Sequence, residues 1–194
     1  MKVMFLDHDG VICLSNNWGS RFKKLDKWGG KTSSMSMQDV PLQYRFDNFD
    51  TKSIKILNEI LIETDAEIVV SSDWKRWATL EEMGEHYESK GIIKKPIALT
   101  PNLGQCTWYD NWAWSRDWDL EMTRVIEIKQ YLQDHPEITH WVSIDDLNMG
   151  IPQTHESWGD LEMDWGLTNF VLTPKRTEGI KQTGIKEKIL NFLK

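Results

Sequence analysis

The segment KVMFLDHDGVI, Lys2 to Ile12, restricts what this chain can fold into more than any other stretch. Val3, Met4, Phe5 and Leu6 form a short unbroken apolar run that suits a strand buried on both faces. The run stops at two carboxylates one residue apart, Asp7 and Asp9, followed by Gly10. In an open parallel sheet, ligands bind beyond the carboxyl ends of the strands, so such a strand delivers both acids to the mouth of the sheet. Gly10 lets the backbone turn sharply away and keeps space close by for a substrate oxyanion.

Two carboxylates so close together repel. At ~4 Å and an effective dielectric of about 20 the cost is about 4 kcal/mol. A divalent cation or a shared proton relieves it. An all-oxygen set of this kind suits Mg²⁺, which keeps several waters and also binds substrate phosphate.

The rest of the chain repeats the strand and helix rhythm. Ile54, Leu57, Ile60 and Leu61 recur at helical spacing over Thr51 to Thr64, with Asp50 or Thr51 placed to cap the helix. EIVVSS, Glu67 to Ser72, is a second buried strand, and a helical pattern over Trp74 to Lys90 stops at Gly91. A weak strand at Pro96 to Thr100 and a helix over Arg124 to Gln133 precede HWVSI, His140 to Ile144, whose strand ends in a second acidic pair, Asp145 and Asp146. A strand at Asn169 to Thr173 and a helix at Lys186 to Leu193 complete the pattern. Strand, helix, strand in succession implies right-handed crossovers and a parallel sheet, hence an α/β fold.

Residues 13–50 and 101–123 break this rhythm. They read as irregular insertions within one domain spanning 1–194, placed as cap elements over the sheet. Arg21, Lys23, Lys24, Lys27 and Lys31 alternate there with Trp18, Phe22 and Trp28, a mixture that either tracks a phosphodiester while bases stack or forms a solvated loop. The chain holds 11 Trp, more than a core of this size needs. Trp112 and Trp114 are candidates to stack on a base, with core packing the usual fate of the others.

The net charge of −7 argues against a broad grip on duplex nucleic acid, though not against reading one end or one nucleotide. Cys13 and Cys106 lack metal-ligand spacing and read as reduced structural thiols. No leader pattern is present, and no apolar run approaches the ~18 residues that span a bilayer, so a cytoplasmic protein is expected.

FLDHDGVI resembles the first motif of the haloacid dehalogenase (HAD) superfamily of phosphotransferases, an apolar strand followed by Asp-x-Asp-Gly. IVVSSDWK is similar to the second motif, a strand ending in Ser or Thr, and WVSIDDLNMG to the last, a strand ending in an acidic pair. The run FDNFDTKSIKILNEILIETDAEIVVSSDWKRW, then RVIEI, SIDD and FVLT, resembles the HAD domains of Swiss Army Knife RNA repair proteins. It is more distantly similar to the phosphatase half of phage polynucleotide kinase-phosphatase. The resemblance covers roughly 1–12, 50–100, 123–150 and 169–194, and His8 is an unusual filler between the two acids.

This resemblance implies a Rossmann-like parallel sheet flanked by helices and a Mg²⁺-dependent phosphomonoesterase. Asp7 would be the nucleophile and a metal ligand, and Asp9 the general acid and base that meets the metal through its backbone carbonyl. Asp145 and Asp146 would complete the metal site. Ser71, with Ser72 able to share the role, would donate to a phosphoryl oxygen. Arg124, with Lys75 as competitor, would supply the balancing cation. The expected substrate is a nucleotide or nucleic-acid terminal phosphate. Small sugar or metabolite phosphates, and a non-catalytic nucleic-acid binder on the same scaffold, are the alternatives.

Overall fold

Five parallel strands form a single sheet in the order β3-β2-β1-β4-β5: β1 (Lys2–Leu6), β2 (Glu67–Val70), β3 (Ala98–Leu99), β4 (His140–Asp145) and β5 (Phe170–Leu172). The computed structural model describes residues 1–15, 20–28, 36–103, 116–150 and 166–194, and of residues 116–119 the backbone only. The strand that opens the chain lies at the centre of the sheet, which explains why its four apolar residues are all fully buried.

Alternation along the strands divides the core in two. Met4, Leu6, Ile68, Val70, Val142 and Ile144 face one side, where helices α3 (Thr51–Thr64), α4 (Leu80–Ser89) and α6 (Ile185–Leu193) pack on them. Val3, Phe5 and Val69 face the other, against Val125, Ile128 and Tyr131 of α5 (Arg116–Asp134). In α3 the four residues read as an apolar stripe, Ile54, Leu57, Ile60 and Leu61, are all buried, each contributing ~1.5–3 kcal/mol. Asp50 caps that helix, its carboxylate accepting from the Ser53 backbone N–H at 2.8 Å. Helices therefore cover both faces of the sheet, which makes the fold α/β and Rossmann-like.

Several local expectations shift. The helical pattern over Trp74 to Lys90 is two pieces, a 3₁₀ turn at Asp73–Arg76 and then α4. The break comes at Thr79, which forms a reciprocal capping box with Glu82. Residues 13–50 are not irregular throughout: they hold α1 (Arg21–Trp28) and the short α2 (Leu42–Arg45). α1 was hidden because it spans only eight residues.

Arg45 ties this segment down. Its buried guanidinium donates to the carbonyls of Val40, Gln38 (3.0 Å) and Trp77 (2.6 Å) and pairs with Glu82 at 2.9 Å. Among the described residues no helix is long and apolar enough to cross a membrane.

Candidate active site

Leu6 stands beside Val70 on one side and Ile144 on the other, so the next residue of each strand, Asp7, Ser71 and Asp145, falls in one row at the carboxyl edge of the sheet. Past Asp7 the chain folds into a tight turn in which the His8 carbonyl accepts from the backbone N–H groups of Val11, Ile12 and Cys13 at 3.2, 3.0 and 2.7 Å. Gly10 sits in that turn with φ +72°. A Cβ there would collide with the Asp146 carboxylate, so the space beside Gly10 is occupied by that side chain. His8 turns the opposite way into the core, its Nε2 2.6 Å from the Tyr87 hydroxyl, and burial holds its pKa low enough to keep it neutral. A position facing the core therefore accounts for the unusual filler.

Three carboxylates meet in this row. Asp7, Asp145 and Asp146 each offer an oxygen within 4.8 Å of the others. Arg124 bridges two of them, its Nη1 lying 2.6 Å from Asp145 Oδ2 and 3.1 Å from Asp7 Oδ1, while Arg176 Nε lies 2.6 Å from Asp146 Oδ2. Burial pushes the pKa of Asp7 and of Asp145 up against the opposing pull of Arg124, and burial with the charge of Asp7 lifts Asp146 to about 6. Three acids whose protons are held too tightly mark a place short of positive charge even with two arginines present. Asp7 Oδ1 is buried and accepts no aligned hydrogen bond. An oxygen-only set with one such atom fits a hard divalent cation, and Asp7, Asp145 and Asp146 are the residues that would hold it.

Asp9 belongs to a different cluster. Its carboxylate lies with the Cys13 thiol and the Asp47 carboxylate, again within 4.8 Å, and not with the other three acids. It projects into the open mouth, where Trp74 Nε1 donates to its Oδ2 at 2.9 Å. The indole is itself fixed, stacked between Phe46 (centroids 4.4 Å apart, planes 9° apart) and Phe49 (5.4 Å, 8°). Desolvation raises the Asp9 pKa, the Trp74 hydrogen bond opposes that rise, and the charge of Asp47 adds to it. The indole contact of Trp74 carries no mark in the sequence around it. Its contact joins residues 65 apart in the chain, and the indole N–H of a buried Trp, which needs a partner, was the one signal available.

The remaining candidates divide. Ser71 is buried with a hydroxyl that makes no hydrogen bond, whereas the Ser72 hydroxyl accepts from the backbone N–H of Trp74 at 3.5 Å and lies close enough to Asp7 to draw its pKa down. Arg124 does not open its helix as expected but lies in the third turn of α5, because that helix begins at Arg116. Lys75, its competitor, is committed elsewhere: its ammonium is buried in an ion pair with Glu127 and donates to Thr100 Oγ1 and the Pro101 carbonyl, both at 2.9 Å. A pairing partner on α5 decided the matter, and sequence spacing carried no trace of it. Trp112 and Trp114, with Trp18, Lys31 and Cys106, lie outside the described residues.

A nucleophile-sized carboxylate between a cation site and an arginine, with a second carboxyl oriented nearby, is an arrangement suited to phosphoryl transfer. No curated protein and no solved structure matches the chain. The family described as the HAD domain in Swiss Army Knife RNA repair proteins matches residues 3–181, a range that runs through all three segments left outside the resemblance, 13–49, 101–122 and 151–168. The chain therefore belongs to that family of HAD domains.

Proposed function

We propose that the protein is a Mg²⁺-dependent phosphomonoesterase acting on the terminal phosphate of a nucleotide or nucleic acid, with an RNA end favoured by the description of its family. The observation that carries this reading is the meeting of Asp7, Asp145 and Asp146 with Arg124 bridging two of them.

In this reaction an Asp7 carboxylate oxygen attacks phosphorus while the bond to the leaving oxygen breaks, giving an aspartyl-phosphate. Asp9 passes its proton to the leaving oxygen, then takes one from the water that hydrolyses the acyl-phosphate, releasing inorganic phosphate and restoring Asp7. Arg124 and the hydroxyl of Ser71 or Ser72 donate to the phosphoryl oxygens, stabilising charge as it spreads. Bound Mg²⁺ would neutralise the carboxylates and the incoming phosphate, keeping Asp7 ionised for attack. Segments 13–50 and 101–123 act as a cap that limits water at the sheet edge, with Trp112 and Trp114 as stacking candidates.

The test is phosphate release, with and without Mg²⁺, from 3′- and 5′-phosphorylated oligonucleotides, mononucleotides and sugar phosphates. Turnover is expected only with Mg²⁺ and best on the nucleotide substrates. Asp7→Asn lowers it by at least ~10³-fold, since an amide cannot attack phosphorus. Nucleic-acid binding without phosphate release from any member of the panel would overturn the proposal in favour of a binding protein.

A further inference from the structure

Beside Asp9 the structure holds a cavity of about 110 Å³, lined by the members of the Asp9, Cys13 and Asp47 cluster and by none of the three metal-site carboxylates. Its polar wall is made by Asp9, Asp47, Asn48, Ser15 and Ser20, and the remainder by Leu14 and the Cys13 thiol. No aromatic ring and no lysine or arginine lies among the described residues that line it. One oxygen of Asp47 is held by the backbone N–H of Arg21 at the start of α1, which fixes this carboxylate in the wall.

A general acid must touch the leaving oxygen, so the atoms bonded to that oxygen enter whatever space adjoins Asp9. The chemistry of this wall disfavours two kinds of group. A second phosphate would face two carboxylates with no lysine or arginine among the described lining residues to offset them. A purely aliphatic group would desolvate this polar wall, two carboxylates included, and offer it no hydrogen bond in return.

We infer that this cavity is the leaving-group subsite of the proposed phosphatase, and that it takes a neutral, hydroxyl-bearing group of sugar type, recognised by hydroxyl donation to Asp47 and hydrogen bonding with Asn48. The inference rests on the phosphatase reading and adds to it the chemistry of the leaving group and the residues that select it. A ribose within a nucleotide and a free sugar or polyol share this chemistry.

The experiment measures kcat/KM with Mg²⁺ on matched pairs: ribonucleoside against 2′-deoxyribonucleoside monophosphate, and glycerol 2-phosphate against isopropyl phosphate. A pentose phosphate distinguishes the free sugar from the nucleoside. The wild type is expected to prefer the hydroxyl-bearing member of at least one pair by tenfold or more. Asp47→Asn keeps an oxygen for the Arg21 N–H but turns the other acceptor into a donor, and it is expected to shrink that preference at least fivefold.

The ratio is the readout, so a loss common to both substrates cancels. Asn48→Leu, which leaves the Asp47 contact to Arg21 in place, tests the same prediction if Asp47→Asn melts early. A preference unchanged within twofold in both variants would overturn the inference. So would phosphate release by the wild type with no preference in either pair, an outcome that leaves the phosphatase reading intact. No release from any substrate would sink that reading and this one with it.

Discussion

Replacing Trp74 by Phe removes one hydrogen bond from the mouth of the site while keeping an aromatic ring between Phe46 and Phe49. The lost bond, 2.9 Å from the indole N–H to Asp9 Oδ2, is of the charge-assisted kind, for which ~1.5–3 kcal/mol is typical. Asp9 is exposed, so the low end of that range applies, about 1.5 kcal/mol or roughly tenfold in rate. Filling less of the stack also costs stability, but well below the ~3–5 kcal/mol of a full truncation to Ala. The assay compares kcat/KM on an alkyl phosphate, whose alkoxide must be protonated as it leaves, with kcat/KM on p-nitrophenyl phosphate, whose phenolate departs without help. If Trp74 acts by orienting the general acid, the alkyl substrate loses about tenfold and the aryl substrate clearly less. Equal losses on the two substrates would assign Trp74 to packing alone, and no loss on the alkyl phosphate would refute its role in orienting Asp9.

Gly10→Ala puts a Cβ into the Asp146 carboxylate at a positive φ, so Mg²⁺ affinity measured by calorimetry should fall at least ~10-fold, with ~1–2 kcal/mol lost from folding. Arg45→Met leaves the carbonyls of Gln38, Val40 and Trp77 and the Glu82 carboxylate without their shared cation, and the urea midpoint should drop by the equivalent of about 3 kcal/mol. His86 is held neutral by burial, its pKa lowered to about 3. The unfolded chain, with a His pKa near ~6.5, takes up the proton first on acidification, so His86 costs stability as pH falls from about 6.5 towards 3. His86→Phe should therefore gain about 2 kcal/mol on the wild type between pH 7 and pH 5, read from paired urea titrations. A pH-independent difference would mean that His86 takes up its proton as readily in the fold as in the unfolded chain, which would refute its neutrality by burial.

The sheet was legible because each buried strand carries its own boundary: an apolar run cut off by Asp7, Ser71 or Asp145. The three carboxylates that meet were legible for the same reason, since parallel strands in register bring their next residues together. What the sequence concealed depends on side chains from distant segments. The partner of Lys75 is Glu127 on α5, and that of Trp74 is Asp9. Asp47 reaches the site from a stretch read as irregular, and its role depends on where α1 starts. Spacing along one segment holds no information about such pairings, which are set by how the helices lie over the sheet.

The central position of β1 has a consequence for how the protein is made. Residue 2 pairs with residue 140, so during synthesis the strand that carries Asp7 leaves the ribosome long before the neighbour that completes its row. At ~5–20 residues per second the 138-residue interval, 140 minus 2, lasts about 7–28 s. Throughout that wait a run of four large apolar residues has one sheet neighbour at most, which makes β1 the segment of a nascent or truncated chain most in need of a chaperone.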